Sequence, residues 1–447
     1  MKVISSYAVK IKHYNQIFND TVKIYQQAVT FFIQVLDSEW ENLVSLSRKQ
    51  KNGALEKLTH KTILNPSPKY DFDSAFYKFP SYLRRAVIQS AIGSYSSYQS
   101  ALNNWEKSNR STKKPKLSIN RNIMPVFYKK NTYSRLNDYS AEIKIYHQKD
   151  WVWLPVTFRK SDVDYIKHHC TDMKEGSPVL KIKGKSASLR FSYEESVTLS
   201  EEPIKSRIVL SVDLGINNAA ACTAMLSDGT VIGRKILSYP IEKDRLNHQI
   251  NRIKEQQQHG NYKARKAWIF ANHTNRHVSE MTANAIMECA LEYHVDVIVF
   301  EHLDMNGKSK AFHFVGKKQG SKRQRLHLWR KQAVQAMVTH KAHREGIRIS
   351  RVNPKYTSAL AFDGSGFVLR HKNNYSLCTF QTGKAYHTDL NATYNIGARY
   401  YIREIIKSLP ERDRLEIQAK VPELSKRSTC TLSSLINLNV VLKELVL

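Results

Sequence analysis

Three acidic residues stand beside apolar segments, at positions where an acid could do chemistry. Asp213 follows the mostly apolar run 208–212, Glu301 ends the run 295–300, and Asp389 lies at the start of a helix predicted from HTDLNATYNIGARYYIREI. A carboxylate buried without a partner costs several kcal/mol, so a positively charged group or a metal ion has to meet it. These residue types therefore point to ion pairs or to metal binding.

Each acid, taken singly, has an explanation that involves no metal. Asp213 could accept hydrogen bonds in a turn, Glu301 could pair with a nearby lysine, and Asp389 could cap its helix. The metal-binding interpretation depends on whether the surrounding elements bring the three acids together.

The apolar patterns around the acids predict an alternating order of strands and helices. Three strands come in quick succession, RIVLSVDLG, AAACTAML and TVIGRKIL, and the turn at 227–229 makes them a meander. A polar helical region at about 243–293, the strand VDVIVFEHLD, a helix at about 326–344, the strand IRISRVN and the last helix follow. This βββ-α-β-α-β-α order is that of the ribonuclease H fold, in which all three acids converge on one edge of the sheet.

Three carboxylates at one edge repel one another and raise each other's pKa. Such a cluster is unfavourable unless hard cations such as Mg²⁺ neutralise it. Two Mg²⁺ ions about 4 Å apart would orient a water for in-line attack on a phosphodiester and would stabilise the leaving oxygen. We therefore predict that Asp213, Glu301 and Asp389 are metal ligands and catalytic residues of a metal-dependent nuclease.

The charge of the chain indicates the class of partner. The 447 residues include 70 Lys and Arg against 39 Asp and Glu, a net charge of +31. This charge suits a surface that follows phosphates, and we find no basic amphipathic helix or lipidation signal for membrane binding. The five cysteines form no Cys-x-x-Cys pair, and no apolar run approaches the ~20 residues that span a bilayer. We expect a nucleic-acid-binding protein of the cytoplasm.

The N-terminal half predicts helices flanked by strands. Residues 7–11 alternate as in a strand, the apolar spacing of residues 18–36 predicts an amphipathic helix, and a second helix follows Pro80. Alternating patterns at 180–182 and 189–193 around Gly184 predict a β-hairpin. Between them, TKKPKLSINRN is predicted to be a basic linker. Its residues expected to bind nucleic acid are Lys113, Lys114, Lys116 and Arg121.

Four motifs resemble those of one nuclease family. VDLGINN, VFEHLD, VNPKYTS and DLNATYNIGA are similar, in order and separation, to motifs of the split RuvC-like domain of TnpB proteins. These are transposon-encoded RNA-guided nucleases related to compact type V CRISPR effectors. The resemblance covers about residues 205–405. It implies that Asp213, Glu301 and Asp389 hold two Mg²⁺ ions and that a guide RNA and double-stranded target DNA are the partners.

From this resemblance we expect a multidomain protein of mixed α/β and α+β class. A ribonuclease H-like (RuvC) nuclease domain would take residues 206–408. A β-rich wedge domain would take residues 1–13 and 116–205, and a helical recognition domain residues 14–115. Residues 409–447 match no motif and would be a C-terminal extension of unknown role. The sequence leaves the oligomeric state open.

The chain departs from the family in a degenerate zinc-ribbon insert at about 357–388. The family usually carries two zinc-binding Cys-x-x-Cys pairs there, whereas this segment has only Cys378, with His371 and His387 as further possible ligands. Three ligands without pair spacing make a poor structural zinc site. We therefore expect no zinc. A short β-hairpin should form instead, held by Phe362, Phe367, Val368, Leu377 and Phe380.

The segment after Glu301 is rich in glycine and basic residues. Its sequence, GKSKAFHFVGKKQGSKRQRLHLWRK, suits a mobile loop that closes over the acids, although a solvated charge run is the simpler alternative. The residues expected to bind phosphates here are Lys322, Arg323, Arg325 and Arg330.

Three functions are compatible with these patterns. The first is an RNA-guided DNA endonuclease, either transposon-encoded or an early type V CRISPR effector. The second is a guide-dependent DNA-binding repressor that has lost cleavage, against which the three intact acids argue. The third is a DNA transposase, because the ribonuclease H fold also serves that chemistry. A sequence-specific helix-turn-helix would favour the transposase, and we see none.

Overall fold

The computed structural model describes residues 1–108, 113–117, 123–215, 217–302, 331–371, 374, 376–426 and 428–445. It divides into two compact units. The first unit is Lys2–Ser196, and the second is Val197–Leu447 together with Met1. We describe each unit by itself.

The first unit combines five helices with two small sheets among its described residues. The helices are α1 (Ile17–Leu43), α2 (Arg48–Thr59), α3 (Phe72–Ala75), α4 (Ser81–Lys107) and α5 (Lys160–His169). The strands are β1 (Lys2–Lys10), β2 (Tyr133–Asn137), β3 (Ser140–His147), β4 (Asp150–Thr157), β5 (Lys174–Glu175), β6 (Val179–Lys183) and β7 (Ser186–Ser196). One sheet has the order β1-β7-β5 with β6 also paired to β7, and the other has the order β2-β3-β4.

The patterned segments of this unit form the elements that their periodicities predict. The hairpin β6–β7 turns at Gly184, whose φ of 59° suits a residue without a side chain. The apolar stripe of α1 packs with α4 and with β3 in one hydrophobic core that includes Phe32, Val87 and Ile143. Helices α2 and α5 were not predicted, because each buries only two residues and so has little apolar pattern.

The second unit is built on a five-stranded sheet of order β10-β9-β8-β11-β12. Its strands are β8 (Val209–Asp213), β9 (Ala220–Met225), β10 (Val231–Leu237), β11 (Val297–Glu301) and β12 (Arg348–Val352). A second, three-stranded sheet consists of β13 (Leu369–Arg370), β14 (Leu377–Thr379) and β15 (Ala385–His387). The described helices are α6 (Pro240–Gln258), α7 (Arg265–Glu292), α8 (Lys331–Arg344), α9 (Thr388–Ser408), α10 (Glu411–Lys420) and α11 (Leu432–Leu445), with a 3₁₀ turn at Pro422–Ser425.

The predicted order of strands and helices along the chain is observed in this unit, except that one expected helical region is two helices. Strands β8, β9 and β10 form the antiparallel meander, and β11 lies parallel to both β8 and β12. The helical region expected at 243–293 is instead two helices, α6 and α7. They are separated by a turn at 259–264, where Gly260 has a φ of 85°. The predicted helix at 326–344 is described only from Lys331 onwards.

Helices cover both faces of the five-stranded sheet. Side chains of a strand alternate between faces. Leu210 and Phe300 point into a core shared with α7 and α8, whereas Val209 and Val299 point into a core shared with α9. By the same alternation, Asp213 and Glu301, at the strand ends, lie on the face that packs against α9.

Residues after 408 complete the α9 side of the core. Helix α11 packs against α9. Its Leu435 and Leu438 are fully buried in the same cluster as Val209 and Tyr401. The segment that matched no motif is therefore part of the hydrophobic core of the second unit. Among the described residues, no helix combines the length and apolar character needed to cross a membrane.

Candidate metal centre

The sheet places Asp213 and Glu301 side by side. Val212 of β8 pairs with Phe300 of β11 in parallel register, so the acids that follow them emerge at the same edge. Parallel neighbouring strands lie about 4.8 Å apart. Because side chains alternate, both acids fall on the sheet face that packs against α9. Asp389 lies in the first turn of that helix.

A close approach of α9 to the sheet brings the third acid to the other two. A Cβ at Gly397 would lie 3.2 Å from Met225 Sδ and 3.4 Å from Ser211 Oγ. The hydroxyls of Thr393 and Thr223 share a hydrogen bond of 2.6 Å across the same interface. Small and hydroxyl side chains thus let the helix sit close to β8 and β9.

The three acids influence one another electrostatically. Burial raises the pKa of Asp213 well above its usual value, and the negative charges of Glu301 and Asp389 raise it further. The positive charge of Arg370, on β13, opposes this shift. All three acids keep part of their surface exposed. Within the described ranges, none of them forms an ion pair.

Glu301 is held by neighbours from two other segments. Burial raises the pKa of its carboxyl, while the hydrogen bond from Thr357 and the charges of Arg399 and Lys331 lower it. The Thr357 hydroxyl donates to Oε1 of Glu301. The carboxylate is therefore oriented by a hydroxyl from the loop after β12.

Asp389 is oriented by an amide. Asn218, in the loop between β8 and β9, donates from Nδ2 to Asp389 Oδ2 at 2.8 Å. Neither Asn218 nor Thr357 was predicted as a site residue, although both lie inside the motifs VDLGINN and VNPKYTS. Asn218 could have been suspected from its position five residues after Asp213, whereas Thr357 is 56 residues from Glu301 and had no such signal.

A row of polar residues on α9 fixes the loop that carries Thr357. Asn391 donates to the Leu360 carbonyl at 2.8 Å, and Asn395 donates to the carbonyls of Leu360 and Thr357 at 2.9 Å each. Arg399 is one turn further on and is 4 % exposed. The spacing of four residues was a usable signal, because it places three polar side chains on one buried helix face.

Arg399 donates four hydrogen bonds to main-chain carbonyls. Nη1 reaches Asn353 at 2.9 Å and Lys355 at 2.7 Å. Nη2 reaches Ser428 at 2.8 Å, and Nε reaches Cys430 at 3.0 Å. This guanidinium therefore ties the helix of Asp389 both to the loop of Thr357 and to the C-terminal segment.

The insert at 357–388 differs from the predicted hairpin. It forms a three-stranded sheet whose core contains Ala361, Cys378 and Phe380. Phe367, expected to hold it, is 56 % exposed. Phe380 lies in the core, and Phe362 and Val368 pack against it, as predicted. The third strand, β15, adds Tyr386, which packs on Phe362.

Two of the three possible zinc ligands of the insert have other partners, whereas Nδ1 of His387 is buried without a hydrogen bond to any described group. Cys378 is buried, with its Sγ 3.4 Å from the Tyr386 carbonyl oxygen. His371 Nε2 lies 3.0 Å from the Thr379 hydroxyl. Across the residues that the structure describes, no group of three or more His, Cys, Asp or Glu side chains is arranged to hold a metal ion. The three acids of the candidate centre are therefore neighbours without forming a closed three-ligand site.

Few of the predicted nucleic-acid contacts can be placed. Lys113, Lys114 and Lys116 are exposed on an irregular stretch of the first unit, and Lys114 Nζ lies 5.9 Å from the Trp105 ring centroid. The remaining five residues lie outside the described ranges, as does the loop expected to close over the acids. These residues are Arg121, Lys322, Arg323, Arg325 and Arg330.

Two family models match parts of the chain. Residues 332–396 match the Cas12f1-like TNB domain, and residues 5–147 match the Aq_aa04 family. In sequence, no curated protein matches. The first match spans α8, β12, the insert and the start of α9, which include Thr357 and Asp389.

Solved structures resemble the chain over most of its length. A Cas12f1–sgRNA–target DNA complex aligns with a TM-score of 0.52 and 14 % identity, covering 85 % of this chain and 81 % of that one. The mini-RNA-guided endonuclease CRISPR-Cas_phi3 aligns with a TM-score of 0.51 and 14 % identity, covering 88 % and 92 %. CasPhi-2 (Cas12j) bound to crRNA aligns with a TM-score of 0.50 and 10 % identity, covering 88 % and 97 %. The chain thus has a mixed α/β multidomain fold resembling those of compact type V Cas12 effectors, with a Cas12f1-like TNB segment.

Proposed function

We propose that this protein is an RNA-guided DNA endonuclease whose nuclease domain has the ribonuclease H-like (RuvC) fold. The observation that carries the proposal is the cluster of Asp213, Glu301 and Asp389. Burial raises the pKa of Asp213 and of Glu301, and the charges of Glu301 and Asp389 raise the pKa of Asp213 further. The net charge of +31 supports a nucleic-acid partner. The likeness of the fold to RNA-guided effectors supports guidance.

The residues of the centre fit Mg²⁺ in chemistry. The atoms available as metal ligands at the cluster are carboxylate and hydroxyl oxygens, which hard cations prefer. When bound, two Mg²⁺ ions would activate a water and stabilise the leaving oxygen of a phosphodiester. Asp213, Glu301 and Asp389 would hold the ions, while Thr357 and Asn218 keep two of the carboxylates in one orientation.

The remaining parts would recognise the nucleic acids. We assign residues 14–115 to a recognition domain and residues 1–13 and 116–205 to a wedge domain that grips guide RNA and duplex DNA. Sequence would be read by pairing between guide and target strand, as in other guided effectors. Exposed lysines of the linker would contact phosphates. The guide could come from a transposon end or from a CRISPR array.

Separate measurement of binding and cleavage tests this proposal. Asp213→Ala, Glu301→Ala and Asp389→Ala should each abolish cleavage while guide-RNA binding and guided target binding stay near the parental level. The double variant Asp213→Ala/Glu301→Ala should be little worse than either single one, because ligands of one metal pair act as a unit.

The matched control is Asp228→Ala. Asp228 is an exposed turn acid that accepts from the Thr230 amide at 2.8 Å, so its loss should leave cleavage unchanged. Cleavage near the parental rate in any variant of the cluster would remove that residue from the centre. Loss of binding together with cleavage would mean that the acid is structural.

A further inference from the structure

The second unit contains a cavity next to the C-terminal half of α9. It is enclosed by α9, α10 and the 3₁₀ turn and has a volume of about 770 Å³. One wall is apolar and includes Ile402, Ile406 and Leu424. The other walls carry four cationic side chains against the single acid Glu404. The cationic residues are Arg399, Arg403, Lys407 and Arg414.

Two of these cations are already committed to protein partners. Arg399 donates to the four carbonyls described above. Arg403 pairs with Glu404 at 2.8 Å and donates to the Ser350 hydroxyl at 2.7 Å and to the Arg351 carbonyl at 2.9 Å. Lys407 and Arg414 have no ion pair within the described part of the chain. They supply the unneutralised charge of the cavity.

Arg414 also has an unsatisfied donor. Its Nε is buried and makes no hydrogen bond to any described group. A buried donor without an acceptor costs about 1–3 kcal/mol, and more when it belongs to a charged group. Buried polar groups are nearly always satisfied, by protein, water or a bound ion. The excess of cationic over acidic side chains in the lining therefore favours an anionic ligand.

Phosphate is the anion that this arrangement fits. A guanidinium presents a planar pair of N–H donors that matches two phosphate oxygens, and a lysine adds a point charge. Of the lining residues, Arg399 acts electrostatically on Glu301 of the acid cluster. Lys407, however, lies eighteen residues after Asp389 on α9, which places the two roughly 27 Å apart at ~1.5 Å per residue. A phosphate held here is therefore not the one that is cleaved.

We propose that the cavity around Lys407 and Arg414 binds a phosphate group, either at the end of a nucleic-acid strand or in a free nucleotide. This assignment gives the C-terminal extension a ligand. It does not depend on cleavage at the acid cluster, and it is tested with the full chain in a chelator, where no cleavage occurs.

The experiment compares phosphorylated and unphosphorylated ligands at constant ionic strength. A short RNA and a short DNA, each with and without a 5′-phosphate, and a mononucleotide are titrated against the parent and against Lys407→Gln/Arg414→Gln. The parent should bind at least one phosphorylated ligand about tenfold more tightly than its unphosphorylated form, since a hydrogen bond to a charged group contributes about that factor. The double variant should lose the difference.

Three further variants serve as controls. Lys420→Gln removes one charge from α10 outside the cavity, where Lys420 pairs with Glu416 at 3.5 Å, and should keep the phosphate preference. Arg414→Lys retains the charge but lacks the paired N–H donors of the guanidinium, so it should retain part of the preference for phosphorylated ligands. In melting experiments without phosphate, Arg414→Gln should be no less stable than the parent, because it removes an unsatisfied buried donor.

The source of the phosphate follows from whether the oligonucleotides or the mononucleotide show the preference. A preference only among oligonucleotides assigns a strand end, whereas a mononucleotide bound as tightly assigns a free nucleotide. Equal affinities for phosphorylated and unphosphorylated ligands in the parent would overturn the proposal. An undiminished preference in the folded double variant would overturn it as well.

Discussion

Asp213 is the residue on which the electrostatics of the candidate centre converge. Burial favours its neutral form, and Glu301 and Asp389 add to that preference. The effect on folding has a definite sign. A carboxyl whose pKa is raised in the folded chain binds more protons there than in the unfolded chain, so stability falls as pH rises between the two pKa values. The usual pKa of 3.8 marks the lower end of that window.

Replacing Asp213 by asparagine should therefore stabilise the metal-free protein in a pH-dependent way. Well below pH 3.8 the carboxyl is protonated in both states, so Asp213→Asn should melt close to the parent. As the pH rises above that value, the variant should melt at increasingly higher temperature than the parent, by about 2–4 °C for each kcal/mol of repulsion removed. Calorimetry in a chelator at several pH values measures this. With Mg²⁺ present, the parent should regain the lost stability and the variant should not.

The control for this experiment is Asp228→Asn, which removes an acid from an exposed turn outside the cluster. A melting difference that stays flat with pH would mean that Asp213 is ionised in the folded chain and neutralised by some other group. In that case the charge of the acids would already be neutralised without a metal ion.

At the scale of elements, α9 organises the centre. It supplies Asp389 directly and holds the Thr357 loop through Asn391 and Asn395. The sequence predicted the helix and the acid at its start, because helical periodicity is a local pattern. The four-residue spacing of the two asparagines could have marked a buried polar face of the helix, but it could not identify their partners. These partners are main-chain carbonyls 31 to 38 residues away in the chain.

The same limit explains the errors in the insert. Apolar residues alone suggested a hairpin, and they could not show that β15 pairs with β14 or that Phe367 faces outward. By contrast, the meander β8–β9–β10 was predictable, since three short apolar runs with a tight turn leave few alternatives. The order of elements along the chain was thus accessible from sequence, and the packing of side chains between distant segments was not.

The insert also makes a prediction about zinc. Cys378 is its only cysteine, and an aromatic cluster of Phe362, Phe380 and Tyr386 packs around it. We expect the purified protein to contain well below one zinc per chain and its melting temperature to be unaffected by a zinc-selective chelator. The similarity of residues 332–396 to the Cas12f1-like TNB domain makes zinc the alternative to test.

Metal analysis of the parent and of Cys378→Ser decides between these alternatives. If no zinc is bound, Cys378→Ser should be less stable than the parent only by the contribution of the buried, well-packed thiol. One tightly held zinc per chain in the parent, lost in Cys378→Ser, would show that the insert is a metal site in spite of its missing cysteines.

At the scale of the whole molecule, the dominant property is the net charge of +31. Such an excess attracts phosphate backbones at long range and is screened by salt. Affinity for guide RNA should then fall steeply with ionic strength, with a log–log slope of about 0.7–0.9 per neutralised phosphate. The exposed Lys113, Lys114 and Lys116 are the described residues best placed to contribute.

Reversing these three charges tests their share. The triple Lys→Glu variant should bind RNA with a slope smaller by about 2–3 units if each lysine contacts one phosphate. The triple Lys→Arg variant retains the charge and should keep the parental slope. Equal slopes in all three proteins would return the linker to a solvated surface that makes no contact with RNA.

The carbonyl bonds of Arg399 bear on how the chain can diverge. Every residue type offers the same main-chain carbonyl, so positions 353, 355, 428 and 430 can change identity while the four hydrogen bonds persist. Selection would then act on the arginine and on the number of residues between it and its partners, and hardly at all on the identities of those residues. A C-terminal segment held in this way can lose every sequence motif and still pack in the same core. Related chains would be recognised there by a conserved arginine and a conserved spacing.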